Sequence, residues 1–418
     1  MKTDNDGSAL RRDAFVNRLF ASKNSIGLIF IDLFARKCNL MVIYRLRNNP
    51  IIFLDNWAEC PSMSEHTGQR GNNRRPTAIL DLDIATTRSG WLLVALCLTY
   101  AVTAVCLQPD RYLHLAQSYA KPFAFFLPAL LAAGLGVAGL AFARHAPTRF
   151  ILGVLRHRWL AAAPVIFLFF LGVTAFTTLK VAIPDMVPFY ADRALADLDL
   201  RLHGADPWTW AHSIVSEPVS VAIFAGYGYG WLLQWFGAVL FVAFWNNPVG
   251  RLRYLWAFAL TTMLCGTVLA TLLSSAGPIF HDQIYGGDRF VALQAALAQK
   301  GYGASVHLYA DYLFTAYQSG RPELGGGISA MPSMHVAFAT LNAFFLARFG
   351  RRWAIAGWSF AAFILFGSVY TGWHYAVDGY LSILVVSLLW YVTGRFILPQ
   401  ASQDVADRGL AIPDPAPQ

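Results

Sequence analysis

The sequence predicts an all-α, polytopic membrane helix bundle with about eight transmembrane helices. Three observations carry this expectation. Only 13% of the 418 residues are charged, 56% are hydrophobic and the mean hydropathy is +0.45, whereas soluble domains carry about a quarter charged residues. Apolar runs recur from Gly90 onward, at about 90–107, 123–143, 159–179, 219–244, 254–273, 334–347, 353–373 and 377–396. All but the short sixth are near the ~20 residues that a helix needs to cross a ~30 Å hydrocarbon core, and backbone crossing lipid in runs this long must be helical. The connections also sort by charge. Those holding Arg144, Arg149, Arg156 and Arg158, then Arg251 and Arg253, then Arg348, Arg351 and Arg352 carry no acid; those at 108–122, 180–218 and 274–332 lean acidic.

Taken in order, residues 1–88 form a basic region of mixed composition, either disordered or interfacial, in which 26–46 could lie on a membrane surface as an amphipathic helix. Its composition differs enough from the remainder to fit a start further downstream. No cleavable signal peptide is expected, because the apolar stretch at 25–34 is too short and its flanks are wrong. Two additional spans occupy 89–154, a six-helix core occupies 155–398, and residues 399–418, with Pro413, Pro415 and Pro417, read as a disordered tail. The arginine-rich connections place both termini in the cytoplasm, in an inner or plasma membrane, and the acidic-leaning loops on the opposite face. The five cysteines are scattered, with neither disulfide nor zinc spacing. No metal, cofactor or nucleic-acid partner is expected; membrane lipids are the expected substrates. No feature specifies an oligomeric state.

The charge distribution leaves Asp378 isolated at the start of the last span. An ionisable group at membrane depth is costly and marks a functional site by default. His374 precedes it by four residues, so on a continuous helix the two share a face. A carboxylate that takes one imidazole proton fixes the tautomer and leaves the other nitrogen free to attack. The blander alternative is an interfacial histidine beside a solvated aspartate, but His335 argues against it. His335 begins the hairpin formed by the sixth and seventh spans and His374 ends it, so both reach the same membrane face. Pro332 suits the first turn of the sixth helix, which would turn the N–H groups of Ser333, Met334 and His335 toward phosphate oxygens, with the Ser333 hydroxyl beside them.

Met331-Pro332-Ser333-Met334-His335 and Tyr370-Thr371-Gly372-Trp373-His374-Tyr375-Ala376-Val377-Asp378 resemble the second and third motifs of the type 2 phosphatidic acid phosphatase superfamily, over about residues 155–398. The resemblance implies that His374 is a nucleophile forming a phosphohistidine, that Asp378 orients it, and that His335 protonates the leaving oxygen and then activates the acceptor. Two departures matter. The family's first motif has a lysine seven residues before Arg-Pro; Arg321-Pro322 is present, but position 314 is phenylalanine. The third motif has an arginine six residues before the histidine; here that residue is Ser368. Fewer cations suit a singly charged phosphodiester better than a monoester, as in the branch resembling inositol phosphorylceramide synthase. That branch also carries a segment like Ser275-Ala276-Gly277-Pro278-Ile279-Phe280-His281.

The expected activity is therefore transfer of a phospho-headgroup, such as inositol phosphate, from a glycerophospholipid to a lipid alcohol such as ceramide. The alternatives are a phosphatase acting on phosphatidate or polyprenyl diphosphate, and an inactive lipid-binding relative. Ser333, Arg289, Arg321, His281, Ser368 and Tyr370 are the candidate substrate contacts; Asp282, Tyr285 and Lys300 are weaker. Arg289 and Arg321 suit bidentate phosphate binding. Gly325-Gly326-Gly327 could bring a loop close to the site but is no nucleotide fingerprint. Asp192, Asp197, Asp199 and Asp206 read as the solvated face of a surface helix, and Tyr227, Tyr229, Trp231 and Trp235 as an interfacial aromatic belt.

Overall fold

The computed structural model describes residues 87–300 and 303–397, with 399, 400 and 403. The helix expected at 26–46 and most of the C-terminal tail lie outside the described residues. Among those described, regular structure comprises thirteen helices and no strand: α1 (Arg88–Leu107), α2 (Pro109–Phe142), α3 (Pro147–Met186), α4 (Asp192–His203), α5 (Pro207–Ile214), α6 (Glu217–Phe244), α7 (Pro248–Leu272), α8 (Pro278–Tyr285), α9 (Val291–Ala298), α10 (Gly303–Ser319), α11 (Met334–Ala347), α12 (Arg351–Tyr370) and α13 (Ala376–Ile397).

Seven of these helices, α1, α2, α3, α6, α7, α12 and α13, are long and apolar enough to cross a bilayer, which supports an integral multi-pass membrane protein. The eighth expected span, α11, has 14 residues, about 21 Å of helix at 1.5 Å per residue. It is apolar on every side because protein surrounds its middle: residues 336–343 are all buried.

The chain divides into two compact units. The smaller, described over 136–150, holds the end of α2, a short connection and the start of α3; the larger comprises 74–135 and 151–418. Two connections differ from expectation. Residues 109–122, expected as a loop, are the first turns of α2, with Pro122 inside the helix. Lys180, expected to open the next loop, lies inside α3, which continues to Met186 because Val181, Ala182 and Ile183 extend its apolar character.

Three arginines expected in loops are instead tied to backbone carbonyls of neighbouring helices. Arg158 donates to the Trp245 carbonyl (2.9 Å), Arg251 to that of Ala161, and Arg253 to that of Trp390 (2.9 Å), with the Arg253 guanidinium 4.0 Å over the Trp390 ring. Trp245 directly follows the last residue of α6, where helix carbonyls lack intrahelical donors and a basic side chain satisfies one.

One core joins α3, α6, α7, α11 and α13 through Phe169, Trp235, Tyr254, Phe338 and Trp390. A second joins α4, α8, α9 and α10 through Leu195, Phe280, Leu293, Leu297 and Leu313, and includes Ile328, Met331 and Tyr375. The second core braces the two segments that carry the histidines.

Candidate active site

Ser333 caps α11, accepting from the Val336 N–H (3.4 Å). Pro332 therefore lies outside the helix rather than in its first turn. The Ser333 N–H is also not free for a ligand, since it donates to the Asp378 carbonyl (3.4 Å). The Ser382 hydroxyl lies 2.9 Å from the Ser333 carbonyl and 2.8 Å from that of Asp378, which ties the start of α11 to the start of α13.

His335 follows in the first turn of α11. Its ring stacks on Tyr227 at 4.6 Å and on Trp231 at 4.0 Å between centroids, and Trp231 Nε1 donates to the His335 carbonyl (3.1 Å). Tyr227 and Trp231 lie in and beside a π-helical stretch of α6, Gly226–Gly230. Such a bulge redirects side chains and recurs at functional sites. The aromatic-belt expectation is corrected here: Tyr227 and Trp235 are buried, and of the four residues Tyr229 is the exposed one. The Tyr227 hydroxyl is buried and has no partner among the described residues.

The His374 ring lies 6.0 Å from that of His335, centroid to centroid, at 61°. With near-attack distances of about 3–3.5 Å, one tetrahedral centre can meet both rings. His374 Nδ1 is 3.3 Å from Asp378 Oδ2, but the pairing does not use a shared helical face. α12 ends at Tyr370 and α13 begins at Ala376, so His374 sits in the turn between them, where Gly372 takes a φ of +74°. The geometry is that of a helix cap. Asp378, in the first turn of α13, returns its Oδ2 to the Tyr375 N–H (3.0 Å) and meets the imidazole with the same oxygen. The His374 N–H donates to the Ser368 carbonyl (3.2 Å).

Burial, with the Lys180 charge adding to it, holds the His374 imidazole well below its usual range, at about 3. His374 is thus neutral at pH 7, with a lone pair available to a nucleophile. Because the protonated form is the disfavoured one, the pH must fall far below the ordinary histidine pKa of about 6.5 before this ring is protonated and lost as a nucleophile. The burst rate of a single turnover should therefore show no titration near pH 6.5 assignable to His374. A burst rate that halves near pH 6.5 in step with a His374 ring titration followed by NMR contradicts this.

The acidic cluster is also corrected. Asp192 and Asp199 are buried, not solvated. Asp192 accepts from the N–H groups of Ala276 (2.8 Å) and Gly277 (2.7 Å) and from the hydroxyls of Tyr285 and Tyr375 (both 3.0 Å). Asp199 accepts from the N–H groups of Ala376 (2.7 Å) and Val377 (3.0 Å), the orphan donors at the start of α13. Burial raises the Asp199 carboxyl above its ordinary range against the pull of those donors. Gly277, at φ +92°, faces the histidine turn so closely that a Cβ would stand 2.5 Å from the Trp373 carbonyl oxygen.

The remaining expected contacts have other partners. Arg289 pairs with Asp197 (2.6 Å) and Asp206 (3.5 Å) rather than standing as a free cation. His281 is buried, bonds to Asp282 (2.9 Å) and packs against Tyr285 and Phe290. The buried Ser368 hydroxyl donates to the Leu365 carbonyl (2.7 Å). Tyr370 is buried, its hydroxyl donates to Ser220 (2.9 Å) and its ring stacks on His212. Arg321 is exposed, beyond the end of α10. Among the described residues no three His, Cys, Asp or Glu side chains are grouped to hold a metal ion.

The arrangement is two imidazoles, His335 stacked on aromatic rings and His374 held by a carboxylate, at the adjoining starts of α11 and α13. The family model of the PAP2 superfamily matches residues 193–392. The PAP2-matched region contains His335, His374 and Asp378 and the supporting Asp199, Tyr227 and Trp231; it begins one residue after Asp192 and leaves out α3 with Lys180. No curated protein and no solved structure matches the chain.

Proposed function

We propose that this protein is a membrane enzyme that transfers a phospho-group on or off a lipid through a covalent phosphohistidine. The observation that carries the reading is the pair of imidazoles 6.0 Å apart, one of them on a buried carboxylate. With Nδ1 of His374 donating to Asp378, Nε2 attacks phosphorus. The phosphorus–oxygen ester bond breaks as a protonated His335 gives its proton to the leaving oxygen. In the second half, neutral His335 takes a proton from the incoming alcohol or water, whose oxygen displaces His374 and breaks the phosphorus–nitrogen bond. This division of labour is general acid–base and covalent catalysis on one phosphorus centre. His335 and His374 lie at the opposite ends of α11 and α12 from Arg348 and Arg351, and the charge bias of the loops supports chemistry at the non-cytoplasmic face.

A phosphodiester donor and a lipid alcohol acceptor form the favoured substrate class. Phe314 and Ser368 stand where the resembled family has cations, and the smaller charge of a diester needs less compensation. Inositol phosphate and ceramide are the donor group and acceptor that the resemblance implies. The second reading, a phosphatase, replaces the alcohol with water. Purified protein in detergent should yield a new phospholipid from phosphatidylinositol only when ceramide is added. Release of free phosphate from phosphatidate, with no acceptor-dependent product, selects the phosphatase; neither product from any of these lipids refutes both readings.

A further inference from the structure

Lys180 is a cation within an apolar helix and outside the PAP2-matched region. An ionisable group in such a helix faces a partner, a cavity or the interface. Among the described residues the Lys180 ammonium has neither a carboxylate nor a hydrogen-bond acceptor. Three contacts fix where this part of α3 lies. A Cβ on Gly327 would stand 3.1 Å from Lys180 Cγ and 3.0 Å from the Val181 nitrogen, so the segment leading to α11 rests on Lys180. One turn earlier, Phe176 and Met334 crowd the same glycine of α7: a Cβ on Gly266 would meet Phe176 Cε2 at 2.5 Å and Met334 Sδ at 3.3 Å. Phe176 and Lys180, four residues apart, share a face of α3, and that face meets the start of α11, where Met334 precedes His335. The ammonium is close enough to interact electrostatically with both imidazoles.

Apart from the proton that His335 passes to the leaving oxygen, the site sets neutral His374 and the Asp378 carboxylate against an anionic substrate, a poor balance in a low-dielectric setting. Arg289 is committed to two aspartates. We propose that Lys180 is the cationic contact for the phosphoryl oxygens of a substrate held between His335 and His374. This rests on the phosphotransfer reading above and adds to it a substrate-binding residue from the helix that precedes the matched region. Lysine suits the place as a compact point charge on a flexible stem. The competing account is a lysine that snorkels to the headgroup layer without touching substrate.

The test is calorimetric titration of orthovanadate, an anionic phosphoryl mimic, into the full-length protein in detergent, for wild type, K180M and K180R. The expected result is measurable binding by wild type, binding at least about tenfold weaker in K180M, as for loss of a charge-assisted contact, and substantial recovery in K180R. Equal affinity of K180M and wild type overturns the proposal, as does wild type that fails to bind vanadate. If K180M is not recovered folded, K180Q makes the same comparison. Turnover of dioctanoyl phosphatidylinositol in the presence of ceramide, and of phosphatidate, is measured alongside. Lys180-dependent vanadate binding with no turnover of either lipid keeps the anion site and sinks the phosphotransfer reading; turnover unaffected in kcat and KM by K180M keeps the reading and sinks the role of Lys180.

Discussion

Replacing His374 by alanine removes turnover, lowering kcat by about four orders of magnitude or more, the scale seen when an enzyme loses a nucleophile that acts in a unit with its base. The expectation follows from geometry. His374 is the imidazole that touches Asp378, and its neutral state at pH 7 follows from its burial. Among the described residues His335 has no carboxylate on its ring; aromatic faces hold it. Its replacement should cost about 10²–10⁴-fold, the usual range for a general acid, and the loss should grow as the leaving group becomes a poorer one. Steady-state rates with donors of graded leaving-group pKa separate the two roles: His374→Ala should be equally inactive with all of them, whereas His335→Ala should approach wild type with the best. The reverse pattern would exchange the assignments.

Replacing Asp192 by alanine should cost stability more than any other single change in the support of the site. Four donors converge on that one buried carboxylate: two backbone N–H groups ahead of α8 and two tyrosine hydroxyls. Truncation leaves all four without their acceptor, and breaking such a buried polar centre from one side costs about 3–5 kcal/mol. A fall in melting temperature on the order of 10 °C is expected, read by thermal unfolding in detergent. Asp192→Asn keeps the shape and one acceptor oxygen, so it should fall between. A melting temperature for Asp192→Ala within a degree or two of wild type would mean that this carboxylate does not brace the site.

The spans could be read from the sequence because lipid and a buried core both demand long apolar runs, and the structure turns all eight predicted runs into helix. The histidine pair could be read because two short motifs fall at the ends of one hairpin, α11 and α12. What could not be read depends on tertiary contact. The i, i+4 spacing of His374 and Asp378 suggests a helical face, yet a turn and a cap bring them together, which only the end of α12 at Tyr370 reveals. Asp192 and Asp199 look like a solvated face because their donors lie about 84 and 177 residues away in the chain. Tyr227 and Trp231 look like a membrane-interface belt because nothing local distinguishes an aromatic that meets lipid from one that meets an imidazole. Lys180 sits at the edge of an apolar run, and its inclusion in α3 turns on the three apolar residues that follow it.

The central claim is that a phosphoryl group passes through His374. Rapid quenching of the wild-type protein during turnover of a donor labelled at its phosphorus, followed by proteolysis and mass spectrometry under alkaline conditions that preserve phosphohistidine, tests it most directly. The account predicts the label on residue 374. Label on a different residue, or no trapped label when the donor is supplied without acceptor to protein that turns over rapidly once acceptor is added, would contradict it.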